Sequence, residues 1–352
     1  MNFYNPKVLV VATSRKTRGG ITSVVKSHEQ GDHWAKYRCR WIETHIDKGK
    51  LYKFLFLIKS LIIFIVCIPF YQLVHIHFSE PVSAIRKSLY FLISKLFKKK
   101  IILHLHTFSP ETTLNGKYKK LYIKMLKDAD AIIALSVYWK KEIQAILGES
   151  NKIHVIYNPC PVVSTNDVKK EKTILFAGTL NKRKGYADLI NAFGRIAQNH
   201  QDWRLLFAGT GEVEEAEQLI KKKKLSGQIA LLGWVDGKEK DTLFKKASIF
   251  CLPSYAEGFP MAILDAWAYG IPVVCTPVGG LPDIIRDGEN ALLFDYGNID
   301  QLANQMKLLI NKDDLRNTIA LKSKELSNTI FDLQQVNRQI GNLYKEMIVC
   351  DN

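Results

Sequence analysis

Glu257-Gly258-Phe259-Pro260-Met261-Ala262-Ile263-Leu264-Asp265-Ala266-Trp267-Ala268-Tyr269-Gly270-Ile271-Pro272-Val273-Val274 reads as an acidic loop residue, a helix, a glycine stop and a buried strand. Pro260 suits the first helical position, where its missing N–H costs nothing, and Gly270 suits the end. Ile271 to Val274 opens an apolar, β-branched strand, so the segment is one step of an alternating α/β pattern. Helix starts bind anions, because their first N–H groups lack partners and the helix dipole favours negative charge there. Glu257 precedes the helix and Asp265 lies two turns along it, which sets a carboxylate at each end of such a site. A ligand with hydroxyls on either side of an anionic middle, such as a nucleotide diphosphate sugar, suits that arrangement.

The same alternation extends outward in both directions. Val8 to Ala12 is a strand, followed by a basic glycine turn, Arg15 to Gly20, and a helix from about Ile21. Strands recur at Leu73 to His77, Ile101 to His106, Ala131 to Leu135 and Lys152 to Ile156, with helical patterns between them. Asn158-Pro159-Cys160-Pro161 breaks the pattern, and the polar run Ser164 to Lys172 reads as a linker. Strands then restart at Thr173 to Ala177, Arg204 to Ala208, Ile229 to Leu232, Ile249 to Leu252 and Val273 to Cys275. The pattern predicts two doubly wound α/β domains, residues 1–165 and 172–330, which is also what 352 residues suggest. Such sheets take ligands at the carboxyl ends of their strands.

Several segments together resemble the retaining glycosyltransferases of family 4, or group 1. Glu257 and Asp265 match that family's acidic-x7-acidic motif, whose second member is usually Glu. Gly233-Trp234-Val235, Ala247 to Ser254, Gly279 to Ile285 and Asp287 to Phe294 follow in the family's order. The resemblance implies the GT-B architecture: two Rossmann-like domains facing a central cleft, with a C-terminal segment, 331–352, crossing back onto the first. It implies transfer of a sugar from a nucleotide diphosphate sugar, expected to be a UDP-sugar, to a saccharide or a polyprenyl-linked saccharide in surface polysaccharide assembly. Gly178 to Gly185 resembles the family's Gly-Arg-Leu-x3-Lys-Gly loop. Lys184 aligns with the lysine that holds the donor diphosphate, while Thr179 stands where the arginine is expected. Arg183 is the candidate substitute, although a regular backbone points it away from Lys184. Glu257 is expected to hold sugar hydroxyls, Asp265 the ribose, and the backbone of Gly258, Phe259, Pro260 and Met261 the developing charge.

In the first half, Gly19 and Gly20 follow a strand and precede a helix, where glycine lets a phosphate or sugar approach the backbone. Arg15 and Arg18 beside them read equally as phosphate contacts or solvated cations. The chain also carries His75-Ile76-His77 and His104-Leu105-His106. Alternate strand residues share a face, so each pair invites a metal reading. No cysteine or carboxylate stands at ligand spacing, and the family needs no metal. His106 matches the family's histidine near the reacting sugar, with His104 as its support and His75 and His77 as structural residues. Asp128-Ala129-Asp130 precedes a strand and reads as a helix-to-strand connection. No metal and no cofactor beyond the donor substrate are expected.

Charge separates the halves. Residues 1–165 hold 26 Lys/Arg and 10 Asp/Glu, whereas residues 166–352 hold 24 of each. The excess gathers at Lys98 to Lys100, Lys117 to Lys120, Lys124, Lys127, Lys140 and Lys141, among large apolar residues. Lysines with interleaved Leu, Ile and Phe predict contact with an anionic membrane surface, against a bland solvated face. No nucleic-acid-binding module accompanies the charge. Residues 51–74 are the most apolar, but the uncharged run is short of the roughly 20 residues of a spanning helix, so a buried or interfacial helix is expected. Six cysteines without paired spacing, and no secretory pattern at Met1 to Pro6, predict a cytoplasmic protein at the inner face of the membrane. A non-catalytic sugar-nucleotide-binding subunit, motivated by Thr179, and a sugar-nucleotide epimerase remain as alternatives. A nucleic-acid-binding protein is a third, which strongly salt-dependent binding to DNA or RNA would distinguish.

Overall fold

A computed structural model describes residues 6–79, 82–108, 113, 115–164 and 168–349. Met1 to Asn5, Ser109 and Pro110 beyond His106, part of the expected linker (165–167) and Cys350 lie outside the described residues. In chain order the first elements are β1 (Val8–Ala12), α1 (Gly20–His28), α2 (Asp32–Lys36), β2 (Arg40–Glu43), α3 (Lys50–Cys67), β3 (Leu73–Phe78) and α4 (Val82–Leu96). They continue with β4 (Lys100–Leu105), α5 (Lys119–Asp128), β5 (Ala131–Ala134), α6 (Val137–Leu147) and β6 (Ile153–Val155). Next come β7 (Thr173–Ala177), α7 (Tyr186–Ile196), β8 (Arg204–Ala208), α8 (Val213–Lys222), β9 (Ile229–Gly233), α9 (Gly237–Lys246) and β10 (Ile249–Leu252). The chain closes with α10 (Met261–Ala268), β11 (Val273–Cys275), β12 (Leu292–Leu293), α11 (Ile299–Asn311), α12 (Asp313–Asn328) and α13 (Leu333–Val349).

Two compact units result, one of residues 1–159 with 333–352, the other of residues 160–332. Each holds a six-stranded sheet, of order β2-β1-β3-β4-β5-β6 in the first and β12-β11-β10-β7-β8-β9 in the second. All named strand pairs are parallel. Parallel neighbours require crossovers, and right-handed crossovers put helices on both faces, which is why the strands read as continuous apolar runs. Cys160 N–H donates to Phe331 O at 2.8 Å, so the second unit begins and ends at one place. The chain then returns to the first unit, where Val336, Ile340, Leu343 and Tyr344 of α13 join Val8, Val10, Leu73 and Ile102 in one core.

The short strand β2 is not apparent in the sequence, because Arg40 and Glu43 flank only two apolar residues. Of the two readings of residues 51–74, a buried or an interfacial helix, the buried one does not hold: Phe54, Leu55, Ile62 and Val66 of α3 are exposed, and only the stripe Ser60, Phe64 and Cys67 is covered.

The core of this unit also contains a layer of six imidazoles. His28, His33, His75, His77, His104 and His106 are all buried. His75 Nδ1 meets the Tyr344 hydroxyl at 2.6 Å, and its Nε2 meets His104 Nδ1 at 3.2 Å. His28 Nδ1 lies 2.9 Å from Asn337 Oδ1, whose amide N–H donates to Ser27 O. Burial holds the six rings neutral, lowering the pKa of His28 to about 4 and of His33 to about 3, and the others well below the usual value. Each folded pKa lies below its unfolded value near 6.5. Between those values the unfolded chain therefore binds more protons. Stability is complete above about pH 6.5 and is lost as the pH falls toward 4, by up to ~1.4 kcal/mol per pH unit for each histidine. Unfolding temperatures measured across this range should fall steeply on acidification. His33→Phe, which removes a ring with both nitrogens unpartnered, should flatten that slope.

Candidate donor site and the histidine layer

The second sheet reverses its winding between β7 and β10. β7 leads by α7 to β8 on one side, whereas β10 sits on the other side and leads on to β11. The loops leaving the carboxyl ends of β7 and β10 therefore diverge, and ligands of such sheets occupy the opening. The residues expected at the donor converge there. After β7, Asn181 Oδ1 accepts from Lys184 N at 3.0 Å and closes a single 3-10 turn, Lys182–Lys184. After β10, Ser254 and Glu257 face it. Lys184 Nζ lies 2.5 Å from Glu257 Oε1, Ser254 Oγ donates to the same oxygen at 2.6 Å, and Arg183 Nη1 stands 3.6 Å from Oε2.

The tight turn corrects the expectation for Arg183. A regular backbone would send Arg183 and Lys184 apart, but the 3-10 turn brings both to one carboxylate. Arg183 also donates to Ala256 O at 2.6 Å and accepts at its own carbonyl from Tyr255 N–H at 2.8 Å. The Glu257 and Lys184 side chains are only 7% and 14% exposed, so this charge pair is largely withdrawn from water, while Arg183 is half exposed.

A third loop locks the second. Gly280 N–H donates to Gly258 O at 2.8 Å, and Thr276 Oγ1 donates to Ser254 O at 2.5 Å. Gly279 has φ +68, and a β-carbon there would overlap the carbonyl oxygens of Glu257 and Gly258. Glycine is required on both counts.

Beyond this loop, Pro260 is the N-cap rather than the first residue of α10, with extended backbone. Ile263 and Leu264 donate back to Pro260 O, so the N–H groups of Met261 and Ala262 precede the helical ladder and point along the axis, toward where an anion would bind. At the far end Gly270 N–H donates to Trp267 O and Ile271 N–H to Ala266 O, a Schellman stop at φ +60. Asp265 is almost fully buried, and burial raises its pKa, opposed by Lys240 of α9, whose Nζ lies 2.7 Å from Oδ2. Nothing in the spacing of the sequence announced Lys240. Ser254 and Asn181 had a weak signal, each standing three residues from the charged group it serves.

In the first unit Gly19 (φ +142) caps α1 and Gly20 is its first residue, and a β-carbon at Gly19 would meet nothing within 4 Å. Open backbone follows β1, at the winding reversal between β1 and β3. Arg15 is engaged: its guanidinium pairs with Glu29, lies 3.6 Å from Glu43 and stacks 4.5 Å over Trp41. His106 follows β4, and the ring that hydrogen-bonds it is His77, with Nδ1 2.9 Å from His106 Nε2, rather than His104, which only stacks on it at 4.4 Å. His77 thus orients His106, a role not expected of it. Nitrogens of His75, His77 and His104 lie within 4.8 Å of one another. His75 engages Tyr344 and His104 with its two nitrogens, whereas Nε2 of His77 and of His104 meet no hydrogen-bond partner. Asp130 Oδ2 accepts from Ile101 N–H at 2.9 Å, as a helix-to-strand connection would have it.

Residues 163–326 match the family described as glycosyl transferases group 1, and residues 51–162 match glycosyltransferase family 4, so the two matches adjoin. An uncharacterized glycosyltransferase of Haemophilus influenzae is 31% identical over 51% of each chain, so the match spans about half of that relative. The 2-deoxystreptamine N-acetyl-D-glucosaminyltransferase of Niallia circulans is 25% identical over 72% of this chain and 71% of its own. Among solved structures, HepE of Anabaena, determined with UDP-glucose, superposes with a TM-score of 0.78 at 19% identity, covering 97% of this chain and 99% of its own. That likeness identifies the fold as α/β of the GT-B type.

Gly279→Ala should destabilise the protein by at least about 1 kcal/mol, through a left-handed non-glycine residue and the carbonyl overlap. A lowered unfolding temperature checks it; an unchanged protein contradicts the packing of the third loop on the second.

Proposed function

Because the chain belongs to the group 1 glycosyl transferases, we propose that it moves a sugar from a UDP-sugar to a hydroxyl of a saccharide or lipid-linked saccharide, with retained anomeric configuration. The observation that carries this reading is the convergence of Lys184, Arg183 and Ser254 on Glu257, beside the opening N–H groups of α10. In the proposed step the bond from the anomeric carbon to the diphosphate oxygen breaks and its electron pair leaves with the diphosphate. The acceptor oxygen bonds the same carbon from the same face, and its proton passes to the departing phosphate. The negative charge that develops meets Lys184, Arg183 and the backbone N–H groups, which are in place before reaction. Such preorganised donors are worth several kcal/mol where water is excluded. The chain itself supplies the positive charge, so no metal is assigned. Glu257 holds sugar hydroxyls on its remaining lone pairs, and Asp265, steadied by Lys240, receives the ribose. His106 is kept neutral by burial, with nearby Lys87 acting in the same direction, and can form hydrogen bonds without carrying charge.

Thr179 motivated a non-catalytic alternative. Arg183 reaches the same carboxylate as Lys184 and supplies a second cation, which favours catalysis. The five described cysteines are free, in keeping with a reducing compartment and work at the cytoplasmic side of a membrane, where surface polysaccharides are assembled.

Thermal-shift screening of nucleotide sugars should single out a UDP-sugar. With that donor, Lys184→Ala should lower kcat by about 10²–10³-fold, the effect of losing one charge-stabilising donor, and Arg183→Ala should lower it less. Glu257→Ala should abolish measurable transfer; turnover near that of the native protein would sink the assignment.

A further inference from the structure

By the right-handed crossover rule α3 and α4 cover the same face of the first sheet, so their outer sides share one surface. On α3 the exposed side chains Leu51, Leu55, Ile58, Ile62 and Ile65 recur at i, i+4, i+7, i+11 and i+14, one continuous stripe. Leu89, Leu92 and Leu96 extend the apolar surface on α4, and Leu51 and Leu96 are 73% and 79% exposed. Apolar area this concentrated marks an interaction site. The charge around it identifies the partner. From Lys48 to Lys127 the sequence holds fifteen Lys/Arg and two Asp/Glu, Glu80 and Glu111, so α3 and α4 carry no carboxylate.

We propose that the outer face of α3 and α4 docks on an anionic lipid bilayer, the α3 stripe entering the acyl boundary while the surrounding lysines meet the headgroups. This deepens the reading above by naming the surface that brings the enzyme to a membrane-bound acceptor. A second copy of the chain fits poorly, because two faces of one sign repel. A spanning α3 fits poorly as well. With the turn that continues it to Phe70 the helix is long and apolar enough to cross a membrane, but Lys50, Lys53 and Lys59 stand among its first ten residues. Its covered stripe is pinned: Phe64 packs edge-on to Tyr90 at 5.0 Å, and the Tyr90 hydroxyl donates to Ser60 Oγ at 2.8 Å. Spanning would sacrifice those contacts, whereas lying in the interface keeps them and covers what they leave exposed.

Co-sedimentation of the full chain with phosphatidylglycerol-containing vesicles, without nucleotide sugar, tests the surface independently of the transfer chemistry. Binding is expected at low salt, weaker at high salt and on pure phosphatidylcholine. Leu55→Glu with Ile62→Glu should lower partitioning by about tenfold or more, and Lys59→Glu with Lys98→Glu should reduce the salt-sensitive part. Unfolding temperatures matching the native protein show that the variants fold. As a second readout, a polarity-sensitive dye on Ile62→Cys should shift to the blue on vesicles. Three results overturn the proposal: no binding to anionic vesicles at low salt, a dimer that the α3 variant splits while the native chain ignores vesicles, or membrane retention that resists alkaline carbonate with position 62 shielded from aqueous quencher.

Discussion

A largely buried carboxylate organises the second unit. Glu257 is acceptable away from water only because Lys184, Arg183 and Ser254 answer it, and those donors come from two loops that the winding of the sheet sets side by side. A charge removed from water without partners costs several kcal/mol, so the loops hold the shape that keeps the partners in reach. Gly279 allows the third loop to press directly against the carbonyls of Glu257 and Gly258. The same constraint sets the cations that satisfy Glu257 near the start of α10, where the proposed donor diphosphate would lie.

The first unit solves a different problem with histidine. Six neutral imidazoles fill a layer between strands and α13, where their hydrogen bonds run to Tyr344, Asn337 and one another. They are polar enough to hold His106 in orientation and apolar enough to be buried, provided they stay unprotonated. Placing α13 over this layer also explains why the chain returns after the second unit: without Tyr344 and Asn337 the layer loses its outer partners.

Much of the proposed donor site was legible because it is local. The helix of the opening segment, its Schellman stop and the positions of Glu257, Asp265 and Lys184 follow from turn chemistry and spacing within a few residues. The direction of Arg183 was not legible, because the backbone there forms a 3-10 turn, capped by Asn181, instead of a regular strand or helix. The partner of His106 was assigned to His104 by proximity along the strand, whereas the parallel register sets His77 beside His104 and swings its Nδ1 to His106. Such pairings join residues 25 or more positions apart, which no local pattern reports.

Hydrophobic periodicity in the sequence determined two doubly wound α/β units and all their named strands but β2 and β12, because apolar runs and glycine turns are read a few residues at a time. Tertiary structure alone decided which side of α3 is covered, since apolar residues stand on every side of that helix and packing selects the face of Ser60, Phe64 and Cys67. It also decided that two basic side chains share one carboxylate, that Lys240 answers Asp265, and that six histidines form one neutral layer. Each depends on sheet order, and sheet order arises from crossovers spanning tens of residues, beyond the reach of any pattern in the chain itself.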